Sequence, residues 1–191
     1  LDGVDITVHH PQQRARLGLG RTFQRMKLFE SSSVATNVAL GREALMAGGN
    51  PWRHLRQTRR ERRTIAAAAD DALGLCGISH LAAADVADLS TGQRRLVELA
   101  RVVAGEFSLL LLDEPSSGLD ESETDAFGRV LEQLVGERDV GILLVEHDMR
   151  LVMSVCARLT VIDFGRRIFD GTPDETQASA IVQAAYLGAV A

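Results

Sequence analysis

The stretch "LSTGQRRLVELARVVAGEFSLLLLDEPSSGLD" at residues 89–120 contains a helix, an apolar strand and a polar loop in direct succession. Ser90 is a favourable N-cap, and Gln93, three residues later, can complete a reciprocal capping box with it. Gly92 leaves the first turn open, so backbone N–H groups and the positive end of the helix dipole can face an anion. The apolar residues of this helix recur at helical spacing: Leu96, Val97, Leu99, Ala100 and Val103. We therefore predict a helix that carries half of a phosphate-binding site at its start.

Strands and helices alternate in the second half of the chain. "FSLLLLD" at 107–113 is a continuous apolar run ending in a carboxylate, which is typical of a strand buried on both faces. "VGILLVEHD" at 140–148 is a second run of the same kind. The amphipathic helix "ESETDAFGRVLEQLVGE" at 121–137 separates them, and the helix "MRLVMSVCARL" at 149–159 follows. This alternation predicts an α/β fold in which a parallel sheet is flanked by helices.

The remaining segments differ in their predicted secondary structure. Residues 1–24 are short and turn-rich, whereas residues 25 to about 106 read as almost wholly helical, with helices predicted after Ser33 and from Thr64. "TVIDFG" and "RRIFDG" at 160–171 predict a hairpin that closes the sheet. The last residues predict one final helix, "ETQASAIVQAAYL", ended by Gly188.

Composition limits the class of protein. The chain has 191 residues, 46% hydrophobic and 25% charged, as expected for one soluble globular domain. Its net charge of −5 does not attract polyanions such as nucleic acids. No apolar run approaches a membrane span, and the start "LDGVDITVHH" does not read as a signal peptide, so membrane association is expected to go through a partner. Cys76 and Cys156 lack metal-ligand spacing and are expected to be reduced, buried thiols.

Side chains suited to phosphoryl transfer follow both apolar strands. Asp113 and Glu114 end the first strand, and Glu-His-Asp at 146–148 ends the second, at the sheet edge where ligands bind. A strand-end carboxylate can hold Mg²⁺, and a neighbouring carboxylate can deprotonate an attacking water. A histidine can contact a terminal phosphate, and Gln24 can touch both metal and water. Taken singly, each also fits a plainer role as a turn former, helix cap or surface residue.

Four motifs occur in an order that identifies a resemblance. "FQ" at 23–24, "LSTGQRR" at 89–95, "LLLLDEPSSGLD" at 109–120 and "LLVEHD" at 143–148 resemble the Q-loop, signature, Walker B with D-loop, and switch histidine of ATP-binding-cassette (ABC) ATPases. The resemblance extends from Leu1 to the end of the chain. It implies a P-loop NTPase core with a parallel sheet and flanking helices, plus an α-helical subdomain.

The resemblance also implies an organisation for the chain. Residues 1–191 are interpreted as one partial ABC ATPase domain. Within it, 25–106 is the helical subdomain with the signature helix, 107–170 the Walker B, D-loop and H-loop core, and 171–191 a C-terminal tail helix.

Family roles carry over to matching residues. Asp113 resembles the aspartate that holds Mg²⁺, and Glu114 resembles the general base. His147 resembles the catalytic switch histidine. Gln24 resembles the glutamine that contacts metal and nucleotide and links them to the membrane subunit.

The signature residues imply a second subunit. Ser90, Gly92 and Gln93 resemble the motif that caps the γ-phosphate bound by the opposite cassette. Asp120 resembles the D-loop aspartate that crosses the dimer. Thr91 departs from the commonest family signature, which has glycine there, and its side chain would crowd the loop slightly.

The family's phosphate-binding loop, G-x-x-x-x-G-K-[ST], does not occur in the 191 residues. Lys27 is the chain's one lysine and has the wrong context. We therefore expect that the N-terminal strands and P-loop are missing by truncation, and that the chain alone binds ATP poorly and folds poorly. Intact Glu114 and His147 argue against a degenerate subunit, although a fragment that only completes a partner's ATP site is an alternative.

Three stretches of sequence indicate which kind of ABC cassette the chain resembles. "RLGLGRTFQRMKLF" at 16–29, the basic insertion around 50–63 and "IVQAAYLG" at 181–188 resemble cassettes that serve branched-chain amino-acid importers. Urea or short-amide import and lipopolysaccharide export are the alternatives. A cassette of nucleic-acid metabolism is disfavoured, since it would show a coiled-coil insertion or a second cassette.

The resemblance implies ATP and Mg²⁺ as cofactors. It implies a second cassette and transmembrane permease subunits as partners, an extracellular or periplasmic binding protein indirectly, and no nucleic acid. The expected location is the cytoplasmic face of the plasma membrane, as a peripheral protein.

A basic run remains open to two interpretations. Its residues are Arg53, Arg56, Arg59, Arg60, Arg62 and Arg63. They form either a solvated helix face or a contact for anionic lipid headgroups or for cytoplasmic loops of the membrane subunit. Trp52 and Tyr186 are expected to be packing residues.

Overall fold

The computed structural model describes residues 1–22, 26–47 and 58–187. The chain divides into two compact units, Leu1–Glu146 and His147–Ala191, and each is described by itself. The predictions that concern Gln24, Trp52, Arg53, Arg56 and Gly188 lie outside the described residues.

The first unit contains a three-stranded parallel sheet. Its strands are β1 (Leu19–Arg21), β2 (Leu109–Asp113) and β3 (Gly141–Val145), in the order β1-β2-β3. Leu110 and Leu112 of the central strand are almost fully buried, and β1 and β3 flank that strand on its two edges. The predicted parallel pairing of β2 and β3 is confirmed, whereas β1 was not predicted.

The prediction that β3 is buried on both faces is wrong. Leu143 and Val145 are 58% and 56% exposed, whereas Ile142 and Leu144 are partly covered. Alternate residues of a strand point to opposite faces, and only one face of β3 is covered within the described structure.

Five helices of the first unit are α1 (Pro11–Arg16), α2 (Val34–Ala47), α3 (Arg59–Leu75), α4 (Thr91–Val103) and α5 (Glu121–Glu137). Helices α2, α3 and α4 pack against one another, and α5 contacts α3. The predicted bounds of α5 are confirmed residue for residue.

Helix α2 begins directly after Ser33, as predicted, but the broader prediction that residues 25 to about 106 are almost wholly helical is wrong for two stretches. Residues 26–33 contain no helix, and 76–90 contain only two short 3₁₀ turns, Ser79–Leu81 and Val86–Asp88. The fully buried Asn37 explains the first break, because its side chain accepts from the Phe29 N–H at 2.8 Å and donates to the Phe29 carbonyl at 3.0 Å. The Phe29 N–H and carbonyl are thus paired by a side chain. In a helix they would be paired by other backbone groups.

Helix α3 begins before the predicted position, Thr64. Thr58 is the N-cap: the Glu61 N–H donates to its hydroxyl at 3.1 Å, and the Thr58 N–H donates to the Glu61 carboxylate at 2.8 Å. The described part of the basic run therefore lies on the first two turns of the helix.

The second unit begins with α6 (Met149–Val155) and continues with an antiparallel hairpin, β4 (Leu159–Asp163) and β5 (Arg166–Gly171). The hairpin is confirmed, but it forms its own two-stranded sheet and does not extend the parallel sheet as predicted. Two short helices follow, α7 (Pro173–Ala178) and α8 (Ala180–Leu187).

The predicted single C-terminal helix is therefore wrong. Thr172 and Glu175 form a capping box that starts α7, and Ser179 adopts an extended backbone that ends it. Both α7 and α8 contact β5.

Both cysteines are free thiols, as predicted, but they differ in burial. Cys76 is 2% exposed, and burial raises the pKa of its thiol to about 12. Cys156 is only half-buried, contrary to the prediction, and burial raises its pKa as well. No helix in the described part of the chain is long and apolar enough to cross a membrane.

Gly41 allows α2 and α4 to approach closely. A Cβ atom there would lie well inside van der Waals contact with the Arg101 carbonyl oxygen, which is backbone and cannot move aside. We expect Gly41→Ala to lower the free energy of unfolding by about 3 kcal/mol, as overpacking does. Urea unfolding followed by circular dichroism measures this.

The matched control is Gly136→Ala in α5, where the added Cβ meets no atom within 4 Å. This change is expected to be neutral or to stabilise by about 0.5–1 kcal/mol, because alanine favours helix. Equal effects of the two substitutions would contradict the close approach at Gly41.

The difference in thiol burial predicts a difference in reactivity. With a pKa of about 12, only about 1 in 10⁴ Cys76 thiols is ionised at pH 8, and the thiolate is the reactive form. A Cys156→Ser variant should therefore react very slowly with a thiol reagent in the native state and rapidly in denaturant. A fast native reaction of that variant would show that Cys76 is accessible.

Candidate functional site

Asp113 stands at the carboxyl end of the central strand, as predicted. Its backbone N–H donates to the Thr22 hydroxyl at 3.3 Å, and the Arg21 guanidinium lies 3.5 Å from its carboxylate. The Asp113 side chain is 35% exposed, so it remains accessible to solvent. Arg21 ends β1 and Thr22 follows it directly, so neither was predicted as a positioning residue, because β1 was not predicted.

Glu114 makes the turn that leaves the sheet. Its φ of +47° lies in the left-handed region, which is rare for residues with a side chain. The Glu114 N–H donates to the Val145 carbonyl at 2.8 Å, so the turn is attached to the end of β3. Such an unusual backbone conformation is a common feature of functional sites.

The loop after Glu114 is held by a second carboxylate. The buried Ser116 donates its backbone N–H at 2.8 Å and its hydroxyl at 2.6 Å to the same Glu146 oxygen, Oε1. Glu146 directly follows β3, so this contact joins the two strand ends. The sequence pattern placed Glu146 at the end of the second predicted strand, but predicted no role for Ser116 or Glu146.

The predicted capping box at the start of α4 is confirmed. The Ser90 N–H donates to the Gln93 side chain at 3.0 Å, and the Gln93 N–H donates to the Ser90 hydroxyl at 3.2 Å. Ser90 and Thr91 are exposed, which leaves this part of the helix start accessible.

Gly92 is buried, and the expectation that it leaves the first turn open needs correction. A Cβ atom at Gly92 would collide with the Glu123 carboxylate, so the glycine makes room for that side chain. On the same side, Gly118 (φ +84°) approaches Thr91, where a Cβ would lie 3.4 Å from the methyl carbon. The loop at 114–120 therefore lies against the start of α4.

Asp120 caps α5. Its Oδ1 accepts the Glu123 N–H at 2.8 Å and the Ser122 hydroxyl at 3.0 Å. The hydrogen bond from the Glu123 backbone, followed by that from the Ser122 side chain, lowers the pKa of Asp120 below its ordinary value. Asp120 is consequently a fixed negative charge at the end of the loop.

A buried ionic cluster, Arg95, Glu98 and Arg101, lies on α4. Glu98 is 2% exposed and lies 3.4 Å from Arg95 and 3.7 Å from Arg101. Burial raises the pKa of Glu98, and its two arginine neighbours oppose that shift. The cluster was not predicted, because Glu98 stands within an apolar stripe of the helix. The signal was an arginine three residues away on each side.

The cluster reaches two other segments. Arg95 donates to the Ser117 carbonyl at 3.2 Å, in the loop that follows Glu114. Arg101 donates to the Lys27 carbonyl, close to the position of the predicted Q-loop.

The two remaining predicted site residues are His147 and Gln24. His147 is the first residue of the second unit, and Gln24 lies outside the described residues. Asp148 caps α6 by accepting the Arg150 N–H at 2.9 Å. The roles of His147 and Gln24 stay predictions.

The Asp113 carboxylate is the donor that a metal ion at this site would use, and it fits Mg²⁺. Among the described residues there is no group of three or more His, Cys, Asp or Glu side chains that could hold a metal ion. Asp113 offers one accessible carboxylate at the strand end. That fits Mg²⁺, which takes one or two carboxylates and completes its shell with water and substrate phosphates.

Comparisons with known proteins agree on one family. Residues 1–117 match the profile described as ABC transporter. The high-affinity branched-chain amino acid transport ATP-binding protein BraF of Pseudomonas aeruginosa is 34% identical over 193 residues, covering 98% of this chain and 74% of BraF. The corresponding protein LivG of Salmonella typhimurium is 34% identical over 180 residues, covering 93% and 70%.

A relative with another cargo and a solved structure complete the comparison. The methionine import ATP-binding protein MetN of Myxococcus xanthus is also 34% identical over 180 residues, but these cover 51% of MetN. The ADP conformation of an ATP-binding cassette of an ABC transporter superposes with a TM-score of 0.80 at 23% identity, covering 98% of this chain and 75% of that one. That likeness shows the fold.

The contact between Ser116 and Glu146 can be tested. We expect Glu146→Ala to lower the free energy of unfolding by about 1–3 kcal/mol, because it leaves buried donors of Ser116 without an acceptor. Amide exchange at Ser116 should accelerate in parallel. Glu146→Gln keeps an acceptor oxygen and should cost less.

The matched control is Glu132→Ala on the exposed side of α5, which should change the free energy of unfolding by no more than about 0.5 kcal/mol. If both alanine variants behave alike, Glu146 does not hold the loop.

Proposed function

The chain belongs to the ABC transporter family, whose cassettes bind and hydrolyse ATP, and on that basis we propose that it energises the import of branched-chain amino acids. The observation that carries the proposal is the 34% identity to BraF and LivG over almost the whole chain. The match to MetN has the same identity but covers a smaller share of that relative.

Asp113 is proposed to hold Mg²⁺ together with the phosphates of ATP, and Gln24 is proposed to add a ligand. When bound, Mg²⁺ neutralises charge on the phosphate oxygens. Arg21, 3.5 Å from Asp113, supports this role by fixing the carboxylate at the strand end.

Glu114 is proposed as the general base that orients the attacking water and accepts its proton. Its support is the left-handed turn at the end of β2, which is attached to β3 through the Val145 carbonyl. His147 is proposed as the second catalytic residue, in contact with the γ-phosphate.

The α4 start is proposed to complete the ATP site of a second cassette. Ser90, Gly92 and Gln93 would bind the γ-phosphate there, and Asp120 would cross to the same partner. The packing of Gly118 against Thr91 supports this arrangement, since it makes the signature and the loop at 114–120 one continuous surface.

The proposed partners follow from this function. They are a second cassette, transmembrane permease subunits and, indirectly, a substrate-binding protein outside the membrane. The proposed location is the cytoplasmic face of the plasma membrane.

A transport assay tests the proposal. Glu114→Gln, introduced into the chromosomal gene, should reduce uptake of labelled leucine, isoleucine and valine to background, because glutamine cannot accept the proton. Glu132→Gln on the exposed side of α5 is the control and should retain uptake. Immunoblots establish that both variants reach wild-type abundance.

The other outcomes discriminate between functions. Loss of methionine, urea or short-amide uptake with normal leucine uptake would overturn the substrate assignment and leave the ATPase role. Normal uptake of every substrate in the Glu114→Gln strain would overturn the catalytic role of Glu114.

A further inference from the structure

The first turns of α3 expose a cluster of four arginines, Arg59, Arg60, Arg62 and Arg63, which we call the arginine face. At about 100° per residue, these side chains cover about 160° of the helix circumference. Ile65, Ala69 and Ala72 contribute to the core from the adjoining side of α3, which Arg62 borders and from which the other three arginines point away. The arginine face therefore points away from the body of the first unit.

Within the part of the chain that the structure describes, the four guanidinium groups are uncompensated. None forms a hydrogen bond or an ion pair with any residue that the structure describes. Glu61, the one acidic residue within this segment, lies on the other side of the helix and accepts the Thr58 N–H at 2.8 Å. Exposed cations without internal partners are available to an external anion.

The nearest acidic residues further along α3 do not neutralise the cluster. Asp71 pairs with Arg138, so its charge is already balanced. Asp70 is seven residues beyond Arg63, about 10 Å along the helix axis, which is about one screening length at physiological salt. The arginine face thus remains positive, although the chain as a whole has a net charge of −5.

Near a transporter cassette, an arginine cluster can meet either the cytoplasmic loops of the membrane subunit or the membrane surface, and the membrane surface fits better. Cytoplasmic loops of membrane proteins carry an excess of Lys and Arg, so they repel an arginine cluster. The cytoplasmic leaflet is rich in anionic lipid and attracts basic segments. Guanidinium groups also bind phosphate oxygens in a two-pronged geometry.

We propose that the arginine face binds the headgroups of anionic phospholipids and thereby holds the cassette directly against the membrane. This adds a protein–lipid contact to the contact through a permease. Its biological role rests on the proposed membrane location, but lipid binding itself is a property of this chain.

Co-sedimentation of the purified chain with vesicles tests the proposal. Wild-type protein should bind vesicles of phosphatidylcholine with about 30 mol % phosphatidylserine, and should not bind pure phosphatidylcholine. The triple change Arg59→Gln, Arg60→Gln and Arg63→Gln should reduce the partition coefficient about 100-fold, at about five-fold per arginine. Raising the salt should release the wild-type protein, because screening shortens the range of the attraction.

A matched variant controls for overall charge. Arg16→Gln, Arg129→Gln and Arg166→Gln remove the same charge from exposed positions elsewhere and should leave binding within a few-fold of wild type. The lysine triple Arg59→Lys, Arg60→Lys and Arg63→Lys should retain most of the binding. Circular dichroism of all variants establishes equal folding.

Several results would overturn the inference. Equal loss in the two glutamine triples would show that only overall charge matters, and equal binding to both vesicle types would show that headgroup charge does not. Binding to a short DNA duplex in place of vesicles would assign the face to nucleic acid. The vesicle result does not depend on cargo, so a failed leucine-uptake test would leave it unchanged.

Discussion

A carboxylate buried between two arginines organises the first unit. Removing charges from water is costly, and hydrogen bonds to the buried ions offset part of that cost. Here Arg95 donates to the Ser117 carbonyl and Arg101 donates to the Lys27 carbonyl, whereas Arg95 Nε has no partner among the described residues. An unpaired charge in this position would cost several kcal/mol, so the three charged side chains stay together. Through Arg95 and Arg101 they hold the backbone at Ser117 and at Lys27 against α4.

The loop at 114–120 is consequently held along its whole length. Its start is attached to β3 through the Glu114 N–H, and its middle is held by Glu146 and by Arg95. Its end is fixed by the capping box of Asp120. A general base proposed at Glu114 and a signature proposed at Ser90 therefore belong to one rigid arrangement, and movement of either would strain the other.

Local chemistry decided which elements could be predicted. The helix α5 has an N-cap, an amphipathic pattern and a regular length, so its bounds follow from its own residues. The start of α3 was also predictable from local sequence, because Thr58 and Glu61, three residues apart, have the capping-box pattern. Thr64, the predicted start, has no such partner. By contrast, β1 is three residues long and exists through its pairing with β2, which no local pattern reveals.

The position of Glu123 limits how an anion can reach α4. Its carboxylate lies over Gly92 and already interacts with the positive end of the helix dipole. An approaching phosphate would be repelled beside Gly92, whereas Ser90 and Thr91 are exposed. Under the proposed function, the γ-phosphate of a second cassette would thus meet the helix at Ser90 first. Gly92 would take part beside it, and its missing side chain leaves the room that the Glu123 carboxylate occupies.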